Sequence, residues 1–257
     1  MMGAIIGDIV GSIYEFHNIK TKEFPFFGKK CFFTDDTVMT IAVKNALGTY
    51  KRTKDLELFK TELVHEMKRL GRLFPDRGYG GRFKEWLASA DSKPYNSFGN
   101  GSAMRVSNCG LVATSLEEAL ALAKASAEVT HNHPEGIKGA EATAAAVFLA
   151  KDGWGKERIK KYIQGEFYDI DFTLDEIRES YRFDETCQGS VPQALECFFE
   201  GDSYEDVIRN AISIGGDCDT TAAIAGGIAD AYYGVPEEIA TEAVVFLKEI
   251  IGEINED

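Results

Sequence analysis

The 257-residue chain is 44% hydrophobic and carries only six prolines, with no Pro-rich or Gly/Ser-rich stretch to divide it. That is ample material for a packed core and predicts one domain over residues 1–257. A formal net charge of −14 argues against nonspecific nucleic-acid binding, because a phosphate backbone demands a basic track.

At the start, Met1 to Asp8 lacks a basic region and meets a carboxylate too early for a secretory leader. Apolar stretches stop well short of the roughly 20 residues that span a bilayer. Five cysteines, odd in number and scattered, predict free thiols and a cytoplasmic setting. Small and apolar residues at helical spacing predict a helix over 3–15, with Gly3, Gly7 and Gly11 as a ridge that admits close backbone approach. On such a helix Asp8 and Glu15, seven apart, share a face. An aromatic loop over 20–33 follows, then helices over 37–48 and 55–70. Residues 71–110 are Gly-rich and irregular. Further helices are expected over 116–128, 134–150 (opened by Pro134), 191–200, 203–213, 219–233 and 236–251. No alternating run is long enough for a sheet, so the fold class is all-α.

Two acidic clusters sit directly before helical patterns: Thr34-Asp35-Asp36-Thr37 and Gly215-Gly216-Asp217-Cys218-Asp219-Thr220. A lone Asp there is explained by N-capping. Two carboxylates in tandem are not, since like charges about 4 Å apart repel by roughly 4 kcal/mol at an effective dielectric of 20. Hydroxyls beside carboxylates form a hard-oxygen set that suits Mg²⁺ or Mn²⁺ better than zinc, and the glycine pair permits the turn that aims both acids to one side.

Between the clusters, Ser97-Phe98-Gly99-Asn100-Gly101-Ser102 offers a run of accessible N–H groups able to cradle a diphosphate, or a simple structural turn. It matches neither a Walker loop nor a Gly-x-Ser-x-Gly elbow. Thr130-His131-Asn132-His133-Pro134 places two histidines before a helix, where a histidine can donate to a phosphate and His133 can cap. Zinc is disfavoured there, as no Cys-x-x-Cys or His-x-x-x-His accompanies the pair.

In this order along the chain, Gly7-Asp8-x-x-Gly11-x-x-x-Glu15, Thr34-Asp35-Asp36-Thr37, Ser97-x-Gly99-Asn100-Gly101-Ser102-Ala103-Met104-Arg105, Thr130-His131-x-His133 and Gly215-Gly216-Asp217-x-Asp219-Thr220 resemble the ADP-ribosylglycohydrolase family. The motifs run from residue 3 to about 234. Two positions depart from the usual pattern: Asn108, where proline is common, and Asp230, where a small residue is common. The resemblance implies a compact, orthogonal all-α fold with a dinuclear Mg²⁺ or Mn²⁺ centre. Thr34, Asp35, Asp36, Asp217, Asp219 and Thr220 would be metal ligands, and Glu15, Asp35 and Asp36 catalytic. Ser97, Phe98, Gly99, Asn100, Gly101, Ser102 and His131 would bind the substrate, with Phe98 against a ring of it. The implied reaction is hydrolysis of the glycosidic bond at C1″ of ADP-ribose in an ADP-ribosylated protein or small molecule. The alternatives are a non-catalytic ADP-ribose-binding or crystallin-like structural member, and a dinuclear phosphohydrolase.

Overall fold

The computed structural model describes residues 1–255, all helices and loops, with no strand among them. The helices are α1 (Met2–Gly11), α2 (Asp35–Thr53), α3 (Leu56–Leu73), α4 (Gly81–Ala88), α5 (Gly101–Met104), α6 (Ser107–Val112), α7 (Leu116–Glu128), α8 (Pro134–Lys151), α9 (Lys156–Glu166), α10 (Leu174–Arg178), α11 (Cys187–Glu200), α12 (Tyr204–Ile214), α13 (Cys218–Tyr233), α14 (Glu237–Ala243) and α15 (Lys248–Asn255), with a 3₁₀ turn at Val244–Leu247. No helix among the described residues is long and apolar enough to cross a membrane.

The centre is α13, buried from Cys218 to Ala229 and packed on α1, α8, α11 and α12. Its closest partner is α1, and the glycine ridge is the reason. A Cβ on Gly7 would lie 2.1 Å from the Ala222 carbonyl oxygen, and one on Gly11 would lie 2.3 Å from Asp219 Cα. The two backbones therefore touch, and the start of α13 is drawn against the end of α1. Asp230 has a role here: its carboxylate accepts from the Gly3 amide at 3.0 Å, near the first turn of α1. The five cysteines are free and buried, and the buried apolar side chains form one continuous core.

Three expectations change. Helix α1 ends at Gly11, so Glu15 is not on its face; Glu15 lies in the turn that follows. There Asn18 Nδ2 donates to the Tyr14 and Glu15 carbonyls and holds the chain in a turn. The irregular stretch 71–110 contains α4, α5 and most of α6. Finally, 236–251 is broken into α14, the 3₁₀ turn and α15.

Candidate active site and metal centre

Helix capping does not explain the two acidic clusters. At α2 the cap is Thr34, whose Oγ1 accepts from the Asp36 amide at 3.2 Å, leaving the Asp36 carboxylate uncommitted to the backbone. At α13, Asp217 occupies the cap position but its side chain bonds to none of the helix amides. It turns away, and its Oδ2 accepts from Asn100 Nδ2 at 2.7 Å. The turn that allows this has Gly215 and Gly216 at φ 68° and 76°, a region open to glycine. Asn18 clamps it by donating to the Gly216 carbonyl and accepting from the Gly216 amide.

The clusters meet although 184 residues separate their contacting members: Thr220 Oγ1 donates to Asp36 Oδ2 at 3.2 Å. Carboxylate oxygens of Glu15, Asp217 and Asp219 lie within 4.8 Å of one another. Beneath them Asp8, fully buried, accepts from the amides and hydroxyls of Thr34 and Thr37 and so fastens the start of α2 to α1. Asp8 and Asn18 position the centre, and the sequence reading gave them no role in it. A carboxylate 26 residues before a Thr-Asp-Asp run carries no local sign of how many donors it will meet.

Negative charge is crowded here. Burial, then Asp217 and Asp8, push Glu15 up to about 7. Burial pushes Asp8 up to about 6 against the opposing hydrogen bonds from Thr37 and Thr34. Asp36 and Asp219 are raised well above the usual range by burial and neighbouring carboxylates, as is Asp35. Among the described residues no Lys, Arg or His forms an ion pair with any of these acids. Asp36 Oδ1 and Asp219 Oδ1 are buried without a hydrogen-bond partner. Buried charged oxygens left this way are costly. A hard divalent cation fits them, and the donors present are all oxygen.

Five of these acids border a cavity of about 260 Å³. Glu15, Asp35, Asp36, Asp217, Asp219 and Thr220 line it, together with Ser97, Gly99, Asn100, Gly101 and His131. Three expected residues are not in its wall. Thr34 is buried behind it; Ser102 is fully buried and donates to the Gly136 carbonyl at 2.6 Å; Phe98 is 42% exposed with its ring against His133. His133 itself caps α8, accepting from the Glu135 amide at Nδ1. Residues absent from the sequence reading also line it: Gly78 and Gly80 ahead of α4, Gly81, Arg82 and Phe83 in its first turn, and Met39, Tyr95, Phe183 and Glu185; Met104 and Arg105 from the glycine motif line it as well. The glycine spacing before α4 was the available signal. Burial, then Arg105 and Arg82, hold His131 well below the usual histidine range, so its ring is neutral.

Residues 1–251 match the family described as ADP-ribosylglycohydrolase. The chain belongs to the ADP-ribosylglycohydrolase family. Its similarity to ADP-ribosylhydrolase ARH3 of Homo sapiens is 28% identity, covering 92% of this chain and 85% of that protein. With ADP-ribosylhydrolase ARH3 of Mus musculus it is 29%, covering 92% and 83%. A solved structure titled ADP-ribosylglycohydrolase-related protein complex shares the fold, with a TM-score of 0.68, 24% identity and 96% coverage of both chains. The all-α fold is thus that of a glycohydrolase family, and the converging acids and the glycine loop lie on it at the positions that carry the family resemblance.

Proposed function

We propose that this chain is a metal-dependent hydrolase that cleaves the glycosidic bond at C1″ of ADP-ribose in an ADP-ribosylated protein or small molecule and releases ADP-ribose. The observation that carries the reading is one cavity lined both by uncompensated carboxylates and by a glycine loop with a neutral histidine. Two divalent cations, Mg²⁺ or Mn²⁺, held by Thr34, Asp35, Asp36, Asp217, Asp219 and Thr220 would supply Lewis acidity toward the ribose hydroxyls and an attacking water.

The chain's own groups do the rest. Breaking the bond builds positive charge on the sugar ring, which a wall of carboxylates favours. Glu15 borders that wall, its carboxylate oxygens within 4.8 Å of those of Asp217 and Asp219. It therefore orients the attacking water and accepts its proton. Ser97, Gly99, Asn100, Gly101 and His131 hold the diphosphate and keep C1″ in place. Ser102 supports that loop from behind, and Phe98 offers its outer face to a ring of the ligand. Buried free thiols suit the reducing environment of a cytoplasmic enzyme.

The test is a panel of ADP-ribosylated substrates, with arginine, serine, nucleobase and ester linkages, assayed with Mg²⁺ and with Mn²⁺. Free ADP-ribose as product supports glycosidic cleavage. AMP would mean attack on the diphosphate, and no product from any member would leave a binding protein in place of an enzyme.

A further inference from the structure

Arg105 is among the largest side chains that are fully buried in the molecule, 1% exposed. A guanidinium in that setting is unfavourable unless its donors are used, and among the described residues no carboxylate pairs with it. Its Nη2 instead donates to the Ser126 carbonyl at 2.6 Å and to Thr130 Oγ1 at 3.0 Å. Thr130, also fully buried, has its Oγ1 2.7 Å from His131 Nδ1. The other imidazole nitrogen faces the cavity loop. A Cβ on Gly101 would sit 3.3 Å from Nε2 and one on Gly99 would sit 3.6 Å away, and no described residue hydrogen-bonds to Nε2.

We propose that Arg105 and Thr130 are positioning residues that act through His131, holding its ring neutral with the proton on Nε2, so that it presents an N–H to the anionic diphosphate of the substrate. The inference rests on the substrate class proposed above. Its logic is donor counting. The Thr130 oxygen already accepts from a cation, and its single hydrogen has one acceptor in reach, His131 Nδ1. If Nδ1 carried the proton, that hydroxyl hydrogen would be buried with no acceptor, an arrangement folded proteins avoid. An Nδ1 that accepts leaves the proton on Nε2. The Arg105 charge opposes a second proton, consistent with the lowered histidine pKa. A purely structural arginine could close the last turn of α7 through Ser126 alone; the bond to Thr130 is the part that role leaves unexplained.

The test has two independent arms. A ¹⁵N-resolved imidazole spectrum of the ligand-free wild-type protein near neutral pH is expected to show His131 protonated at Nε2 and bare at Nδ1. In Thr130→Val the Nδ1 resonance should move toward that of a nitrogen with no donor, and Thr130→Ser should restore it. The second arm is the Kd for ADP-ribose, which Thr130→Val should raise about 10-fold, the loss of one bond to a charged group, with kcat little changed. Arg105→Lys, which keeps the charge but loses the planar two-point hold, should move both readouts the same way. Two results would overturn the relay: a wild-type proton on Nδ1, or a folded Thr130→Val protein whose Kd stays within about twofold of wild type. Wild-type protein that bound no ADP-ribose would remove the substrate reading instead, and the spectrum would still decide the relay.

Discussion

Asp36 and Asp8 are both buried acids, yet their surroundings differ in a way that separates their roles. Asp36 keeps one oxygen without a partner and is pushed upward by burial and three neighbouring carboxylates. Removing its charge relieves the metal-free protein. Asp36→Asn is therefore expected to raise the melting temperature in chelator while lowering turnover more than about 100-fold, beyond the usual loss from an outer partner of a ligand. Thermal unfolding and a turnover assay on one preparation check both halves. Asp8 has its oxygens filled by donors from Thr34 and Thr37. Asp8→Asn points an amide N–H₂ at those donors and should cost about 1–3 kcal/mol in urea unfolding, from a buried hydrogen-bond mismatch. The acids that converge on the cavity were legible as candidates because tandem carboxylates beside hydroxyls exceed what capping requires. Asn18, Arg82 and Phe183 were not, since each enters the site through a turn or a wall that only the folded chain assembles.

Helix extents were legible where caps and burial agree. Ser115, accepting from the Glu118 amide, starts α7 at the expected residue, and Pro134 starts α8. Where few side chains are buried the periodic signal fades: α9 buries only Ile159 and Ile163, and no helix was expected over it. The end of α1 was misplaced because Ile13 and Tyr14 continue an apolar pattern past the last helical hydrogen bonds. Its glycine ridge, by contrast, was visible and sets the geometry of the site. Gly7→Ala places a methyl 2.1 Å from the Ala222 carbonyl oxygen and must part α1 from α13. A loss of about 1–3 kcal/mol or more is expected from overpacking, with a matching fall in activity as Asp8 and Asp219 separate. Gly165→Ala, in α9 with nothing within 4 Å of the added carbon, should stabilise by up to about 1 kcal/mol. Denaturant melts of the pair separate interface geometry from general helix propensity.

Across the whole molecule, the site stores proton affinity that folding creates. In the folded chain Glu15 is held at about 7 and Asp8 at about 6, against about 4 for carboxyls in an unfolded chain. The folded state therefore binds more protons than the unfolded state between these values. The contribution of these two acids to stability is full below about pH 4 and is lost as pH rises through 7. If, as proposed, divalent cations take the place of those protons, the melting-temperature gain on adding Mg²⁺ or Mn²⁺ should grow from pH 5 to pH 8. A stability maximum at alkaline pH in chelator would contradict this linkage.

The most direct test of the account is turnover of an ADP-ribosylated substrate by metal-stripped protein, titrated with Mg²⁺ and with Mn²⁺ and read as free ADP-ribose. The expected result is no release in chelator, recovery that saturates with added ion, and no recovery at any concentration in Asp217→Ala. Undiminished release from the stripped wild-type protein would contradict it.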